Sequence, residues 1–206
     1  MNINRLGKLA IIPAIFSFIM AIITMGYFVC NIINEYAPSL NLVNSIIRYF
    51  FTLSIILFLV GFLTSPNKKS KVNASIILLL IGYGLTLTLP LCRRLLYTSY
   101  SDTIHVINIF ISIFTCISWF IFYGHLVTRT SARGILLPFC ILNVISTLFV
   151  SISNIIPLTD NFYEIFDTYR IINATQNFFS FCSFIFLGLF FLFFKKYGRQ
   201  TEKSDV

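Results

Sequence analysis

The sequence predicts an all-α polytopic membrane protein, a six-transmembrane-helix bundle with both termini cytoplasmic. Three observations predict it. The 206 residues are 57% hydrophobic and only 11% charged, whereas soluble domains carry about 25% charged residues. Six apolar segments, Leu9–Ile33, Ile46–Thr64, Ala74–Leu91, Ile104–Leu126, Ile135–Ile156 and Ile171–Phe194, each approach or exceed the ~20 residues that cross a ~30 Å hydrocarbon layer. All seven lysines then fall on one side of that layer. The loops between spans are too short for a separate fold, so residues 1–206 form a single domain.

The first span follows Arg5 and Lys8. Its apolar run is longer than the roughly 7–15 residues of a signal-peptide core and no small-x-small cleavage site follows, which predicts a retained anchor. The second span has Arg48 near its outer end, and Lys68, Lys69 and Lys71 separate it from the third. The third carries Gly82-Tyr83-Gly84, small residues that allow close helix packing, and Arg93 and Arg94 follow it directly. Pro13, Pro90 and Pro138 mark expected kinks in the first, third and fifth spans. The sixth span begins after Arg170 and ends at Lys195 and Lys196.

Sidedness follows from the loops. The N-terminus, the second and fourth loops and the tail hold Arg5, Lys8, Lys68, Lys69, Lys71, Arg129, Arg133, Lys195, Lys196, Arg199 and Lys203; the opposite side holds Arg48, Arg93, Arg94 and Arg170. Eleven against four places both termini in the cytoplasm. The acids lean the other way, with Glu35, Asp102, Asp160, Glu164 and Asp167 outside. The formal charge of +8 is thereby explained by topology, and no nucleic-acid partner is expected.

The four outer arginines stand apart. Arginine grips carboxylates and phosphates with a planar fork. Span-end arginines also snorkel to headgroups or pair with nearby acids, here Asp102, Asp160, Glu164 and Asp167. The sharper reading is a contact site for an anionic ligand or lipid headgroup.

Polar residues recur at helical steps inside three spans: His105, Asn108, Ser112 and Thr115 in the fourth; Asn143, Thr147, Ser151 and Asn154 in the fifth; Arg170, Asn173 and Asn177, with Gln176 beside them, in the sixth. Polar groups avoid lipid, so these stripes are expected to face one another. Most lie in the outer half. Either they hydrogen-bond between packed helices, or they enclose a cavity open to the outside. The candidate ligand or headgroup contacts are Arg48, Arg93, Arg94, His105, Asn108, Arg170, Asn173 and Asn177.

Catalytic and metal chemistry find no support. His105 and His125 bracket the fourth span, so a rise of about 1.5 Å per residue holds them some 30 Å apart. There is no HExxH, CxxC, phosphate loop or nucleophile elbow. No cofactor, metal or catalytic residue is expected. Cys116, Cys140 and Cys182 lie within spans as small apolar residues, while Cys30 and Cys92 share the outer end and their pairing stays open. The triplets Asn73-Ala-Ser and Asn173-Ala-Thr are placed where glycosylation would not reach them. The tail Ser204-Asp205-Val206 is a short candidate ligand for a carboxylate-capturing protein partner.

Several dispersed positions resemble the damage-regulated autophagy modulator (DRAM) family and its wider six-span membrane-protein group. They are Pro13 and Tyr27 in the first span, Asn73 opening the third, His105 within Thr103-Ile-His-Val-Ile-Asn-Ile-Phe, and Tyr169-Arg-Ile-Ile-Asn-Ala-Thr-Gln-Asn-Phe opening the sixth. In that last stretch the family tends to show Tyr-His-x-x-Ser-Ala-x-x-Glu-Trp. Arg170 therefore stands at its histidine, Asn177 at its acid and Phe178 at its tryptophan. The resemblance implies a non-enzymatic modulator of autophagy or membrane lipid organisation, in a lysosomal, endosomal or plasma membrane. Such a protein would act on the lipid bilayer, through anionic headgroups among other contacts. The alternative is a small-molecule transport component, such as the substrate-binding subunit of a vitamin importer, whose docking motif Ala10-x-x-x-Ala14 resembles.

Overall fold

The computed structural model describes residues 7–33, 38–64, 70–95, 101–127, 133–155 and 166–203. Six long helices account for nearly all of them: α1 (Ile11–Ile33), α2 (Pro38–Leu63), α3 (Ser70–Leu95), α4 (Ser101–Val127), α5 (Arg133–Ile155) and α6 (Phe166–Lys203). No strand occurs among the described residues. Each helix packs on the next in sequence and α6 closes the ring against α1, its most extensive neighbour.

The direction of each neighbour is legible from its contacts. On α1 and α6, Phe28 meets Phe178 at 5.8 Å between ring centroids, while a Cβ at Gly188 would stand 3.0 Å from Phe18. The partner number falls as the α1 number rises, so the two helices are antiparallel. Phe51 meets Phe184 and Phe58 meets Phe191, so α2 and α6 run parallel across the ring. This is an up-and-down bundle.

Helices α1, α2, α4, α5 and α6 each contain a stretch long and apolar enough to cross a membrane, and the described apolar part of α3 is the shorter Val72–Thr88. Their outer faces are apolar at helical steps: Ile46, Phe50, Leu53, Leu57 and Val60 on α2, and Phe110, Ile113, Ile117 and Ile121 on α4, are all exposed. A soluble monomer rarely exposes apolar patches of this extent. Lipid is the solvent that suits such a surface, and the chain is a multi-pass membrane protein.

The core sits in one half of the bundle. Its buried members come from the start of α1 (Ala14, Met20), the end of α2 (Ile55, Phe58, Leu59), the start of α3 (Ile76, Leu79), the end of α4 (Trp119, Phe122), the start of α5 (Leu136, Phe139, Cys140) and the apolar end of α6 (Leu187, Phe190, Phe191). Those segments all meet at the end where α2 finishes and α3 begins. Edge-to-face aromatic pairs lock it: Phe58 with Phe191 at 5.0 Å and Phe194 at 5.2 Å, Phe62 with Phe194 at 5.5 Å, and Trp119 with Phe139 at 4.9 Å. Each such pair adds about 0.5–1.5 kcal/mol beyond area burial.

Two expectations need correction. Asn34–Asn44 was expected to be a loop and Ile46 the start of the second span, but helix α2 begins at Pro38. Proline is favoured in the first helical turn, where its missing N–H costs no bond. Arg48 consequently lies about ten residues, or ~15 Å, inside α2 and not at a span end. Helix α6 likewise begins at Phe166, ahead of the expected Ile171, with Asp167 in its first turn complementing the helix dipole. The expected close packing at Gly82 is present, since a Cβ there would lie 2.8 Å from Thr115 Oγ1 on α4.

Candidate ligand-binding cavity

The other half of the bundle is hollow. A cavity of ≈ 660 Å³ runs from the aromatic floor to the end where α1 finishes and α2 and α6 begin. That volume lies within the roughly 300–1,000 Å³ range of small-molecule sites. Its floor is Met20, Phe51, Tyr83, Trp119, Phe139, Phe184 and Leu187. The Trp119 indole N–H donates to the Tyr83 hydroxyl at 2.9 Å and holds α3 and α4 together there.

The walls are polar and come from all six helices. Helix α2 contributes Asn41, Asn44, Arg48 and Thr52, at steps of three and four, so one face of the helix carries all of them. Thr24, Tyr27 and Asn31 do the same on α1. Thr86 comes from α3, Ser112 and Thr115 from α4, Asn143, Ser146 and Thr147 from α5, and Asn173, Gln176, Asn177, Ser180 and Ser183 from α6. Two bonds tie wall to wall: the Tyr27 hydroxyl donates to Asn41 Oδ1 at 2.6 Å, and the Ser146 and Ser180 hydroxyls meet at 2.7 Å.

Arg48 is the single charged side chain among the described lining residues. Its side chain is accessible and borders the cavity. The ion pair found among the described residues is Arg170 with Asp167 at 3.8 Å, and Arg48 has no such partner there. A guanidinium within a membrane-spanning helix costs about 2.5–3.5 kcal/mol at the helix centre and persists where it faces a polar cavity. One turn earlier, Asn44 Oδ1 is buried with no hydrogen-bond partner.

Of the predicted contact residues, the structure brings Arg48, Asn173 and Asn177 to the cavity and leaves Arg170 and Asn108 outside its lining. Arg170 is held by Asp167, one helical turn before it. The side chains of Arg93, Arg94 and His105 lie outside the described residues, as does that of Asn154. The stripes on the fourth, fifth and sixth spans do converge, through Ser112, Thr115, Asn143, Thr147, Asn173, Gln176 and Asn177. Sequence reasoning missed the α1 and α2 stripes, although their spacing is as regular. Cys30 is a free thiol on the cavity wall, and Cys92 falls among the side chains not described. Among the described residues no group of three His, Cys, Asp or Glu side chains gathers to hold a metal ion.

Fold and cavity define a multi-pass helical membrane protein with a polar chamber in one half of the bundle, carrying one cationic group among its described lining residues. Comparison with protein-family models, with curated proteins and with solved structures gave no match to this chain. Of the positions that resemble the autophagy modulators, Tyr27, Tyr169 and Asn173 line the chamber, and so does Asn177, where the chain departs from that family's acid.

Proposed function

We propose that this protein is a non-enzymatic, six-span receptor or transport component that takes an anionic polar ligand into its cavity from the extracytoplasmic side, with both termini in the cytoplasm. The observation that carries the reading is Arg48, a cationic side chain on the cavity wall with no carboxylate in ion-pair reach among the described residues. A guanidinium on a cavity wall inside a span, with no counter-charge among the described residues, is an unfilled half of a charge-assisted, bidentate pair. Carboxylate and phosphate supply the other half. Sidedness is supported by the eleven-to-four split of Lys and Arg. Binding is favoured over catalysis because the described lining holds neither a carboxylate nor a histidine to move a proton.

The same chemistry suits both roles implied by the sequence. A lipid headgroup would be the anion for a modulator of membrane organisation, and a free carboxylate the anion for an importer subunit.

The test is thermal stabilisation of the detergent-purified chain by gluconate, benzoate and glycerol phosphate, set against choline and glucose. At a hundred times its Kd an anion stabilises by about 2.7 kcal/mol. Stabilisation by at least one anion, lost in Arg48→Gln, is expected. Stabilisation by choline with none from any anion overturns the reading.

A further inference from the structure

The proton bookkeeping of the cavity wall narrows the ligand further. A serine or threonine hydroxyl has one proton to give and two lone pairs to offer. Thr24 donates its proton to Met20 and Ala21 carbonyls, Thr52 to Arg48, Thr86 to Gly82, Ser112 to Asn108 and Thr115 to Ile111, all within their own helices. What these side chains present to the cavity is therefore acceptor lone pairs. Asn44 adds a buried carboxamide oxygen with no donor. Seven carboxamides also line the cavity, Asn44, Asn143, Gln176 and Asn177 among them, and each brings two N–H donors beside its acceptor oxygen. With Arg48 the wall therefore offers donors and acceptors side by side.

A ligand that matches this wall must both donate and accept, as a hydroxyl does. An aliphatic carboxylate would satisfy Arg48 and leave the polar wall facing hydrocarbon, and each unsatisfied buried polar group costs about 1–3 kcal/mol. Charge narrows the choice as well. Arg48, the one cationic side chain among the described lining residues, matches one negative charge, and a second would enter the cavity without a partner there.

Resting on the reading that Arg48 holds the ligand's anionic group, we infer that the ligand is a hydroxyl-rich monoanion. The chemistry is that of a sugar acid, or equally of a phosphodiester-linked polyol headgroup such as that of phosphatidylinositol. The two sources share one negative charge beside a body of hydroxyl donors, and the cavity has room for a hexose-sized body.

The experiment is calorimetric titration of the full-length chain in detergent with glucuronate, hexanoate, glucose and the dianion glucarate, together with nanodiscs containing phosphatidylinositol or only phosphatidylcholine. Glucuronate or phosphatidylinositol is expected to bind at least about tenfold more tightly than hexanoate, glucose and glucarate, because sites built for hydroxyls reject analogues lacking them. Whichever of the two binds identifies the source. Thr52→Val and Thr86→Val, which keep side-chain shape, are expected to weaken the bound polyol and leave hexanoate unchanged. Hexanoate binding as tightly as both polyols, and lost in Arg48→Gln, overturns the hydroxyl-rich class while the anion reading stands. Binding of none of the anions overturns both.

Discussion

The Trp119 indole N–H donates to the Tyr83 hydroxyl at 2.9 Å, and this bond marks the boundary between the packed half of the bundle and its hollow half. Below it lie Phe122 and Phe139, both in edge-to-face contact with Trp119. Above it lie the cavity and its polar walls. Removing the acceptor with Tyr83→Phe leaves a nearly buried indole N–H unpaired. The expected loss is about 1 kcal/mol, between the ~0.6 kcal/mol average of interhelical bonds in membranes and the 1–3 kcal/mol of an orphaned buried donor. Thermal unfolding in detergent measures it, and an unchanged melting temperature would show that the bond contributes nothing.

Gly82 and Gly84 sit two residues apart on α3 and predict opposite outcomes. A Cβ at Gly82 would meet Thr115 Oγ1 at 2.8 Å, whereas at Gly84 nothing lies within 4 Å. Gly82→Ala is expected to push α3 from α4 and destabilise the bundle by about 1–3 kcal/mol. Gly84→Ala is expected to be neutral or slightly stabilising through helix propensity. Equal melting temperatures for the two variants would contradict the close α3–α4 approach.

Arg48 is expected to trade stability for binding. Arg48→Leu replaces an uncompensated charge inside a span with an apolar side chain, so the unliganded variant is expected to melt above wild type by about 1 kcal/mol equivalent while losing anion binding. A variant that melts well below wild type would mean that Arg48 has a structural partner.

Asn177→Glu places a carboxylate on the same cavity wall system as Arg48. The new acid competes with any anionic ligand for the guanidinium and repels it. Anion affinity is expected to fall by at least about tenfold, as close charge pairs couple by more than ~1.4 kcal/mol. Titration of wild type and variant with the best-binding anion checks it, and unchanged affinity would remove Arg48 from the site.

Cys30 is a native reporter of sidedness. It is a free thiol on the wall near the open end. A membrane-impermeant maleimide applied to intact cells is expected to label it, with Cys30→Ser as the control. A cysteine introduced at Ser65, in the lysine-rich loop region, is expected to stay unlabelled until the cells are opened. The reverse pattern would invert the proposed topology.

Helices and their polar faces were legible in the sequence wherever polar residues interrupt a long apolar run. Ser112 and Thr115, or Asn173 and Asn177, sit three or four residues apart among phenylalanines and isoleucines, and that spacing alone puts them on one face. The α2 stripe escaped because Asn41 and Asn44 lower the hydropathy of the first turns. The unbroken apolar run starts only at Ile46, so those residues read as loop and Arg48 as a flank. Averaged over a full span the asparagines are offset by Leu40, Leu42 and Val43, and Leu40–Leu63 as a whole is apolar enough to cross a membrane, with its polar face on the cavity.

By itself the sequence determined the class: long apolar helical runs in succession, with polar residues at helical steps gathered mostly toward one end of them. Covalent order and side-chain type are enough for that, since backbone bonding in lipid leaves helices as the natural solution. The pairing of Arg170 with Asp167 was also within reach, because it joins neighbours on one helix. Only the tertiary structure decided whether the polar halves pack shut or stand apart, and whether an acid among the described residues pairs with Arg48. Both depend on distances between helices far apart in the chain. Those distances are set by the aromatic packing at the closed end, where interlocked phenylalanines hold the ring while the short polar side chains at the open end leave the space between them unfilled.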